Sequence, residues 1–166
     1  MSELDAPVQA QVEALATALS ARGWMLATAE SCTGGLISAA CTSLAGSSDW
    51  FERGFVTYSN AAKTELLDVP ALLIQAHGAV SAEVARAMAE GALKRSTAQI
   101  SVAVTGVAGP AGGTVAKPVG TVWTAVTTPS GATVVELLQL AGDRAAVRRQ
   151  TLTFALNAVL KAARAA

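Results

Sequence analysis

The chain has few of the residues that bind transition metals. It contains one histidine, His77, and two cysteines, Cys32 and Cys41, which lie nine residues apart and lack CxxC spacing. A zinc site needs three or four ligands of these types at suitable spacing. We therefore predict a protein without a bound metal.

Aromatic residues and long apolar segments are also scarce. Aromatic residues make up 4% of the chain although hydrophobic residues make up 52%, so the core is built from Ala, Val and Leu. Small side chains favour close packing of helices on a sheet over an aromatic-rich β-sandwich. No apolar run approaches the roughly 20 residues that span a bilayer, and the start of the chain, with Glu3 and Asp5, lacks a signal-peptide pattern. We expect a cytoplasmic protein that has no membrane partner.

An excess of charge of either sign is absent as well. Twelve Lys and Arg residues balance twelve Asp and Glu residues. General binding to nucleic acid or to an anionic membrane surface needs a basic excess, so neither partner is expected. Any recognition of an anion must be local.

Helix and strand patterns alternate along the chain and predict one domain, residues 1–166. Apolar residues recur at helical spacing in six segments and form short strand-like runs in five. The predicted helices cover 8–21, 36–44, 60–67 (capped by Asn60), 70–78, 81–95 and 143–163, and the predicted strands cover 24–29, 51–58, 100–105, 121–127 and 133–140. The last two strands form a hairpin. This order predicts a three-layer α/β/α sandwich with a mixed, mostly parallel sheet.

Hydroxyl side chains lie at the ends of three predicted strands. These residues are Ser31, Tyr58 and Thr105. In open α/β sheets, ligands bind beyond the carboxyl ends of the strands. We expect the three hydroxyls to border one site.

Ser31, Lys63 and Tyr58 form the first candidate catalytic set. A serine hydroxyl needs a base, and a neutral lysine can replace histidine in that role when its pKa is lowered. Lys63 falls in the first turn of a predicted helix, where the helix dipole opposes the ammonium form. Tyr58 could relay the proton or orient the amine. The alternative is an ordinary strand-end tyrosine and a solvated lysine.

Cys32 offers a competing nucleophile, in a set with Glu30 and Lys63. A helix N-terminus lowers the pKa of a thiol, although a cysteine in such a turn is more often a small packed residue. The same turn, Thr33-Gly34-Gly35, has backbone N–H groups that could hold an oxyanion. Its alternative role is a glycine-rich connection that only caps a helix.

The third candidate is the glycine-rich loop 105–113 with nearby basic residues. Its glycines allow consecutive N–H groups to face an anion. Lys117 and three arginines of the last predicted helix, Arg144, Arg148 and Arg149, could complete a phosphate site. The alternative is a surface loop with solvated charges.

Six collinear motifs resemble the CinA C-terminal domain family, and within it the stand-alone PncC-type nicotinamide-nucleotide amidohydrolases. The motifs are AESCTGG (29–35), AGSSDWF (45–51), GFVTYSNAAK (54–63), HGAVS (77–81), TGVAGP (105–110) and KPVGTVW (117–123). They span nearly the whole chain. One difference is Ala111, which stands where the family frequently has an acidic residue and so bears on substrate contacts.

The resemblance implies hydrolysis of the carboxamide of nicotinamide mononucleotide to nicotinic acid mononucleotide and ammonia, with no metal or organic cofactor. It implies Ser31 as nucleophile, Lys63 and Tyr58 as the activating pair, and Thr105 and Gly106 in the substrate pocket. The N–H groups near Thr33, Gly34 and Gly35 would hold the oxyanion. The phosphate would lie near the loop that begins at Gly109, or near Arg144 and Arg148.

Two other functions remain open from the sequence. One is a non-catalytic module that binds a pyridine nucleotide or another phosphate ligand, and the other is an amidase of the same mechanism that acts on another small amide. Pyridine nucleotide salvage is the expected task, and removal of an inhibitory by-product is the alternative. Alanine-rich helices and the exposed-looking pair Trp50-Phe51 also predict a homo-oligomer.

Overall fold

A computed structural model describes residues 5–166, which form six α-helices and five β-strands in the order α1-β1-α2-β2-α3-α4-α5-β3-β4-β5-α6. The helices are α1 (Ala6–Arg22), α2 (Leu36–Thr42), α3 (Asn60–Leu67), α4 (Ala71–His77), α5 (Ala82–Lys94) and α6 (Arg144–Ala165), and the strands are β1 (Leu26–Glu30), β2 (Phe51–Val56), β3 (Ile100–Gly106), β4 (Thr121–Thr127) and β5 (Thr133–Gln139). Residues 1–4 of the predicted domain lie outside the described residues. No helix of the described part combines the length and the apolar character needed to cross a membrane.

The strands form one mixed sheet in the order β2-β1-β3-β4-β5. β1 pairs in parallel with β2 and β3, whereas β4 pairs antiparallel with β3 and β5. Four strands therefore run in one direction and β4 is reversed, which confirms the predicted mixed, mostly parallel sheet. Glu30 is in register with Val56 and with Val104, so the carboxyl ends of β1, β2 and β3 lie side by side.

Helices cover both faces of the sheet, as the three-layer prediction requires. On one face, larger side chains such as Leu26 and Ile100 pack against α1, α2 and α6. On the other face, alanines such as Ala29 and Ala103 pack in one cluster with residues of α3, α4 and α5. Because successive strand residues point to opposite faces, the sequence sorts large and small side chains between the two layers. The alanine face leaves room for α5 to lie close to the sheet.

Several predicted boundaries need correction by one or two residues. Ser59, and not Asn60, caps α3, because its Oγ accepts a hydrogen bond from the Ala62 N–H at 3.0 Å. β2 ends at Val56, so Tyr58 lies in the connection to α3 and not in the strand. Trp50 was expected to be exposed, but only 2% of it is accessible, so it gives no support to the predicted homo-oligomer.

The turn from β1 into α2 is organised by one buried carboxylate, that of Glu30. Its Oε2 accepts hydrogen bonds from the Thr33 hydroxyl at 2.7 Å and from the N–H groups of Gly35 and Ile37 at 3.1 and 3.0 Å. Its Oε1 accepts the N–H and the hydroxyl of Ser38, each at 2.8 Å. The first N–H groups of a helix have no partner within the helix. The side chain of Glu30, in the preceding strand, therefore caps the N-terminus of α2. Gly35 occupies the N-cap position itself but has no side chain to accept these N–H groups.

Gly54 of β2 leaves the space that this arrangement needs. The hydroxyls of Thr28 and Ser38 lie 2.7 Å apart next to the backbone of Gly54, where a Cβ would overlap Ser38 Oγ. The Ser38 hydroxyl donates to Glu30, so the Thr28 hydroxyl is the donor to Ser38. The glycine is explained by close approach of these side chains and not by its own backbone angles.

We expect Glu30→Gln to destabilise the fold. The substitution keeps the size of the side chain but replaces one acceptor oxygen by an N–H donor that faces other donors. Buried donors without an acceptor cost about 1–3 kcal/mol each, so the free energy of unfolding should fall by about 2–4 kcal/mol in denaturant titrations. Glu65→Gln, on the exposed side of α3, is the matched control and should change it by less than about 0.5 kcal/mol. Equal effects of the two substitutions would contradict the anchoring role.

Candidate active site

The carboxyl ends of β1, β2 and β3 border a cavity of about 190 Å³. Ser31 follows β1, Tyr58 follows the end of β2, and Thr105 lies near the end of β3, and all three contribute to its wall. The strands are parallel neighbours, so their ends meet at one edge of the sheet. The predicted gathering of the three hydroxyl residues is therefore present in the structure.

Lys63 meets Ser31 inside this cavity. Lys63 is 1% exposed, and its Nζ lies 3.0 Å from Ser31 Oγ, 2.8 Å from the Thr57 carbonyl oxygen and 3.4 Å from the Tyr58 carbonyl oxygen. A neutral amine has two N–H donors and one lone pair. The two carbonyls can accept both N–H groups, which leaves the lone pair directed at the serine hydroxyl. This is the geometry of a serine with its base.

Burial lowers the pKa of the Lys63 ammonium below its usual value, while the nearby Cys32 opposes the shift. Within residues 5–166, no carboxylate lies within ion-pair distance of Lys63. Lys63 also lies near the N-terminus of α3, where the helix dipole disfavours a cation. The surroundings of the amine thus favour its neutral form.

The Tyr58 hydroxyl does not join the serine and the lysine. The tyrosine is 62% exposed, and its hydroxyl accepts a hydrogen bond of 3.1 Å from Arg144 Nη2. In the described part of the chain, the hydroxyl makes no hydrogen bond to Ser31 or Lys63. The predicted proton relay through Tyr58 therefore has no counterpart in these contacts, and Tyr58 meets Lys63 only through its backbone carbonyl.

The predicted oxyanion donors Gly34 and Gly35 are already engaged. The Gly34 N–H donates to the Ser31 carbonyl at 3.1 Å, and the Gly35 N–H donates to Glu30. The prediction that these two groups are free for an oxyanion is wrong, because the turn uses them to hold itself. The N–H groups of Cys32 and Thr33 have no acceptor among the described residues, and they directly follow Ser31.

The competing thiol is a poor nucleophile in this setting. Cys32 is 6% exposed, and burial raises the pKa of its thiol to about 11. A thiol with this pKa is protonated at neutral pH, and the thiolate is the reactive form. Both carboxylate oxygens of Glu30 already accept hydrogen bonds from the turn and from the start of α2. Cys41 is buried, and its thiol pKa is raised to about 12 by burial.

The glycine-rich loop and α6 close one side of the cavity. Thr105 Oγ1 donates to the Ala79 carbonyl at 2.8 Å, and Gly106 lies beside it in the wall. Arg144 Nη1 donates to the Gly109 carbonyl at 2.8 Å, and Arg148 Nη2 donates to the Thr33 carbonyl at 2.8 Å. The loop, the turn after β1 and α6 are thereby joined by two arginines.

Two other basic residues of the predicted phosphate site point elsewhere. Lys117 Nζ donates to the His77 carbonyl at 2.8 Å, at the end of α4. Arg149 forms an ion pair with Asp5. The sequence pattern placed these charges near the loop and on α6, but it could not fix the direction of long side chains.

Some parts of the site were not predicted. Asn60, Ala79, Val80 and Ala108 line the cavity, and the Thr57 carbonyl orients the lysine. These four lining residues lie within the motifs quoted above, but the motifs alone did not indicate that they line the cavity. No group of three or more His, Cys, Asp or Glu residues within 5–166 could hold a metal ion.

Comparisons with known proteins agree on one family. The family model of the CinA C-terminal domain matches residues 8–163. The chain is 50% identical over 147 residues to a protein of Enterobacter agglomerans named nicotinamide-nucleotide amidohydrolase PncC, which covers 89% of this chain and 90% of that protein. The protein of the same name from Escherichia coli K12 is 50% identical over 145 residues, 87% of this chain and 88% of that protein.

Solved structures show the same fold. The competence/damage inducible protein CihA of Agrobacterium tumefaciens superposes with a TM-score of 0.95 at 41% identity, over 97% of this chain and 98% of that one. A CinA superfamily protein from Klebsiella pneumoniae 700603 gives a TM-score of 0.92 at 37% identity, over 96% of this chain and 99% of that one. The resemblance inferred from the six motifs is confirmed. The chain belongs to the CinA C-terminal domain family.

Proposed function

We propose that this protein hydrolyses the carboxamide of nicotinamide mononucleotide to nicotinic acid mononucleotide and ammonia, as a step in pyridine nucleotide salvage. The observation that carries the proposal is the buried contact of 3.0 Å between Lys63 Nζ and Ser31 Oγ. Relatives named nicotinamide-nucleotide amidohydrolase, at 50% identity over most of the chain, support the choice of substrate.

In the proposed mechanism, Ser31 Oγ attacks the carboxamide carbon while neutral Lys63 takes the hydroxyl proton. The resulting ammonium of Lys63 then protonates the nitrogen of the tetrahedral intermediate, the C–N bond breaks and ammonia leaves. An ester between Ser31 and the nicotinoyl group remains. Water attacks this ester, Lys63 accepts its proton, and return of that proton to Oγ releases the acid. The lysine thus ends each cycle neutral.

We assign the oxyanion to the N–H groups of Cys32 and Thr33. Both follow the nucleophile directly and lack an acceptor among the described residues. One donor of this kind is typically worth about 3–4 kcal/mol of transition-state stabilisation. The fixed turn would present both groups without reorganisation, because Glu30 holds the residues that come next.

We assign Tyr58 a positioning role. Its carbonyl and that of Thr57 accept from Lys63 Nζ, which aims the amine at Ser31. Its exposed ring borders the cavity. Thr105 and Gly106 form the opposite wall, where the pyridine ring of the substrate would lie.

We expect Ser31→Ala to abolish ammonia release from nicotinamide mononucleotide, with a loss of about 10⁴-fold or more in kcat. Cys32→Ala is the matched control: it removes the thiol, leaves the backbone N–H in place and should retain most of the turnover. Ammonia and nicotinic acid mononucleotide are measured for both variants with purified protein. Turnover that survives Ser31→Ala and is lost in Cys32→Ala would transfer the nucleophile role to the thiol. Saturable binding by the unchanged protein without ammonia release would instead indicate a binding module.

We expect kcat/KM to rise with pH, because only the neutral amine of Lys63 can accept the serine proton. Since burial lowers the pKa of this lysine, the midpoint of the rise should lie below the ordinary value of about 10.4. Lys63→Met should reduce the rate by about 10⁴-fold at every pH. Lys161→Met, in an exposed part of α6, is the control and should keep the wild-type profile. A rate that falls as pH rises towards about 10 would contradict the assignment of lysine as the base.

A further inference from the structure

A buried hydroxyl beside Lys63 has no hydrogen-bond partner. Thr57 is fully buried, and among residues 5–166 nothing accepts from or donates to its Oγ1. Buried hydroxyls in folded proteins nearly always have a partner, because burial without one costs free energy. Valine has almost the same shape as threonine and does not carry this cost. Packing alone therefore does not explain a threonine at this position.

The backbone of Thr57 connects the two halves of the site. Its N–H donates to the Glu30 carbonyl at 2.8 Å, and its carbonyl accepts from Lys63 Nζ at 2.8 Å. Glu30 directly precedes Ser31 in the chain. Thr57 is therefore held in place both against the strand that leads to the serine and against the amine.

The side chain of Thr57 faces the layer to which Lys63 belongs. The bond from the Thr57 N–H to Glu30 continues the pairing of β2 with β1, so the alternation of side chains extends to Thr57. Phe55, two residues earlier, packs against the cluster of α3, α4 and α5. The two oxygens of one threonine are at most about 5 Å apart, which puts Thr57 Oγ1 within about 8 Å of Lys63 Nζ. Rotations of the long lysine side chain and of the threonine hydroxyl can close this distance.

Lys63 needs another acceptor once it has taken a proton. An ammonium group has three N–H donors and no lone pair. The Thr57 carbonyl, at 2.8 Å from Nζ, is a good acceptor, whereas the Tyr58 carbonyl, at 3.4 Å, lies beyond the usual range of about 2.7–3.2 Å. In the proposed mechanism, the third N–H turns to the leaving nitrogen. The charged lysine then has only one good acceptor for its two remaining N–H groups.

The groups around the amine offer little compensation for its charge. Burial lowers the pKa of Lys63, and Cys32 opposes this shift. Tyr58 and Arg144 border the same cavity, and the arginine adds a second positive charge. The charged residues of β2, α4 and α5 pair with one another or with Asp68, at or near the surface. A neutral acceptor close to the amine is therefore the available means of holding the ammonium.

We propose that Thr57 is a positioning residue for the base, and that its hydroxyl accepts an N–H of Lys63 while the lysine carries the serine proton. This inference rests on the proposed function. The Thr57 carbonyl keeps its N–H throughout, and the N–H at the Tyr58 carbonyl moves to Thr57 Oγ1. The hydroxyl neither gains nor loses a proton: the proton passes from Ser31 Oγ to Lys63 Nζ and then to the departing ammonia. An acceptor that is used only when the charge develops lowers the barrier and leaves the resting state unchanged.

Thr57→Val tests this role, because it keeps the shape of the side chain and removes the acceptor. The kcat for ammonia release from nicotinamide mononucleotide should fall by about 10- to 100-fold, while KM should change by less than about threefold. The rise of kcat/KM with pH should move to lower pH by about one pH unit, because an ammonium that has lost an acceptor gives up its proton more readily. Thr57→Ser keeps the hydroxyl and should restore both the rate and the pH profile.

Thr124→Val is the matched control, because Thr124 is a buried threonine of β4 that lies outside the cavity wall. It should leave kcat and the pH profile unchanged. Thr57→Ala removes the hydroxyl without placing a methyl group there and should show the same shift as Thr57→Val. Thermal unfolding of each variant shows whether the fold is intact. A loss of rate in Thr57→Val with an unchanged pH profile would mean that the side chain only supports the fold, and would overturn the proposal. Full activity of Thr57→Val would overturn it as well.

A titration without substrate separates this proposal from the proposed function. The pKa of Lys63 is measured by NMR from the signal of its side-chain Cε, which is assigned by its loss in Lys63→Met. A lower pKa in Thr57→Val than in the unchanged protein supports the role of the hydroxyl, even if the unchanged protein releases no ammonia. Ammonia release together with a pKa that Thr57→Val leaves unchanged would sustain the function and overturn the role of Thr57.

Discussion

The site depends on the hydrogen bonds that the buried carboxylate of Glu30 accepts. The carboxylate takes five hydrogen bonds from the turn and from the start of α2, so the residues after Ser31 have little freedom. The proposed mechanism needs Ser31 and the oxyanion donors at fixed positions, because any freedom that they kept would have to be lost, at an entropic cost, in every turnover. The carboxylate is therefore a structural anchor placed one residue before Ser31, the proposed nucleophile.

The division of the sheet into a bulky face and an alanine face places the other half of the site. The alanine face lets the α3–α5 layer approach closely, and Lys63 belongs to that layer. As a result, its amine is sealed from water while two carbonyls at the end of β2 orient it. Ser31 comes from β1 and Lys63 from α3, so the pairing is a product of tertiary packing and not of a local motif.

The sequence predicted the architecture, and it predicted that Ser31, Tyr58 and Thr105 would border one cavity. Helix and strand patterns, and the hydroxyl residues that follow the strands, depend only on residues that are close together in the sequence, so they can be recognised without the structure. The direction of long side chains is not a local property, so the destinations of Lys117, Arg149 and the Tyr58 hydroxyl were not predictable. The use of the N–H groups of Gly34 and Gly35 was missed for the same reason: their acceptors are fixed only when the turn closes.

In the proposed mechanism, the burial of Lys63 also links catalysis to the uptake of a proton on unfolding. Its pKa is lower in the folded chain than in the unfolded chain, so unfolding takes up a proton when the pH lies between the two values. Below the folded pKa, the native state bears the full cost of a charged, buried lysine. That cost declines as the pH rises and disappears above the unfolded pKa. For this group, alkaline solution therefore favours both the native state and the neutral amine that the proposed mechanism requires, whereas acid opposes both.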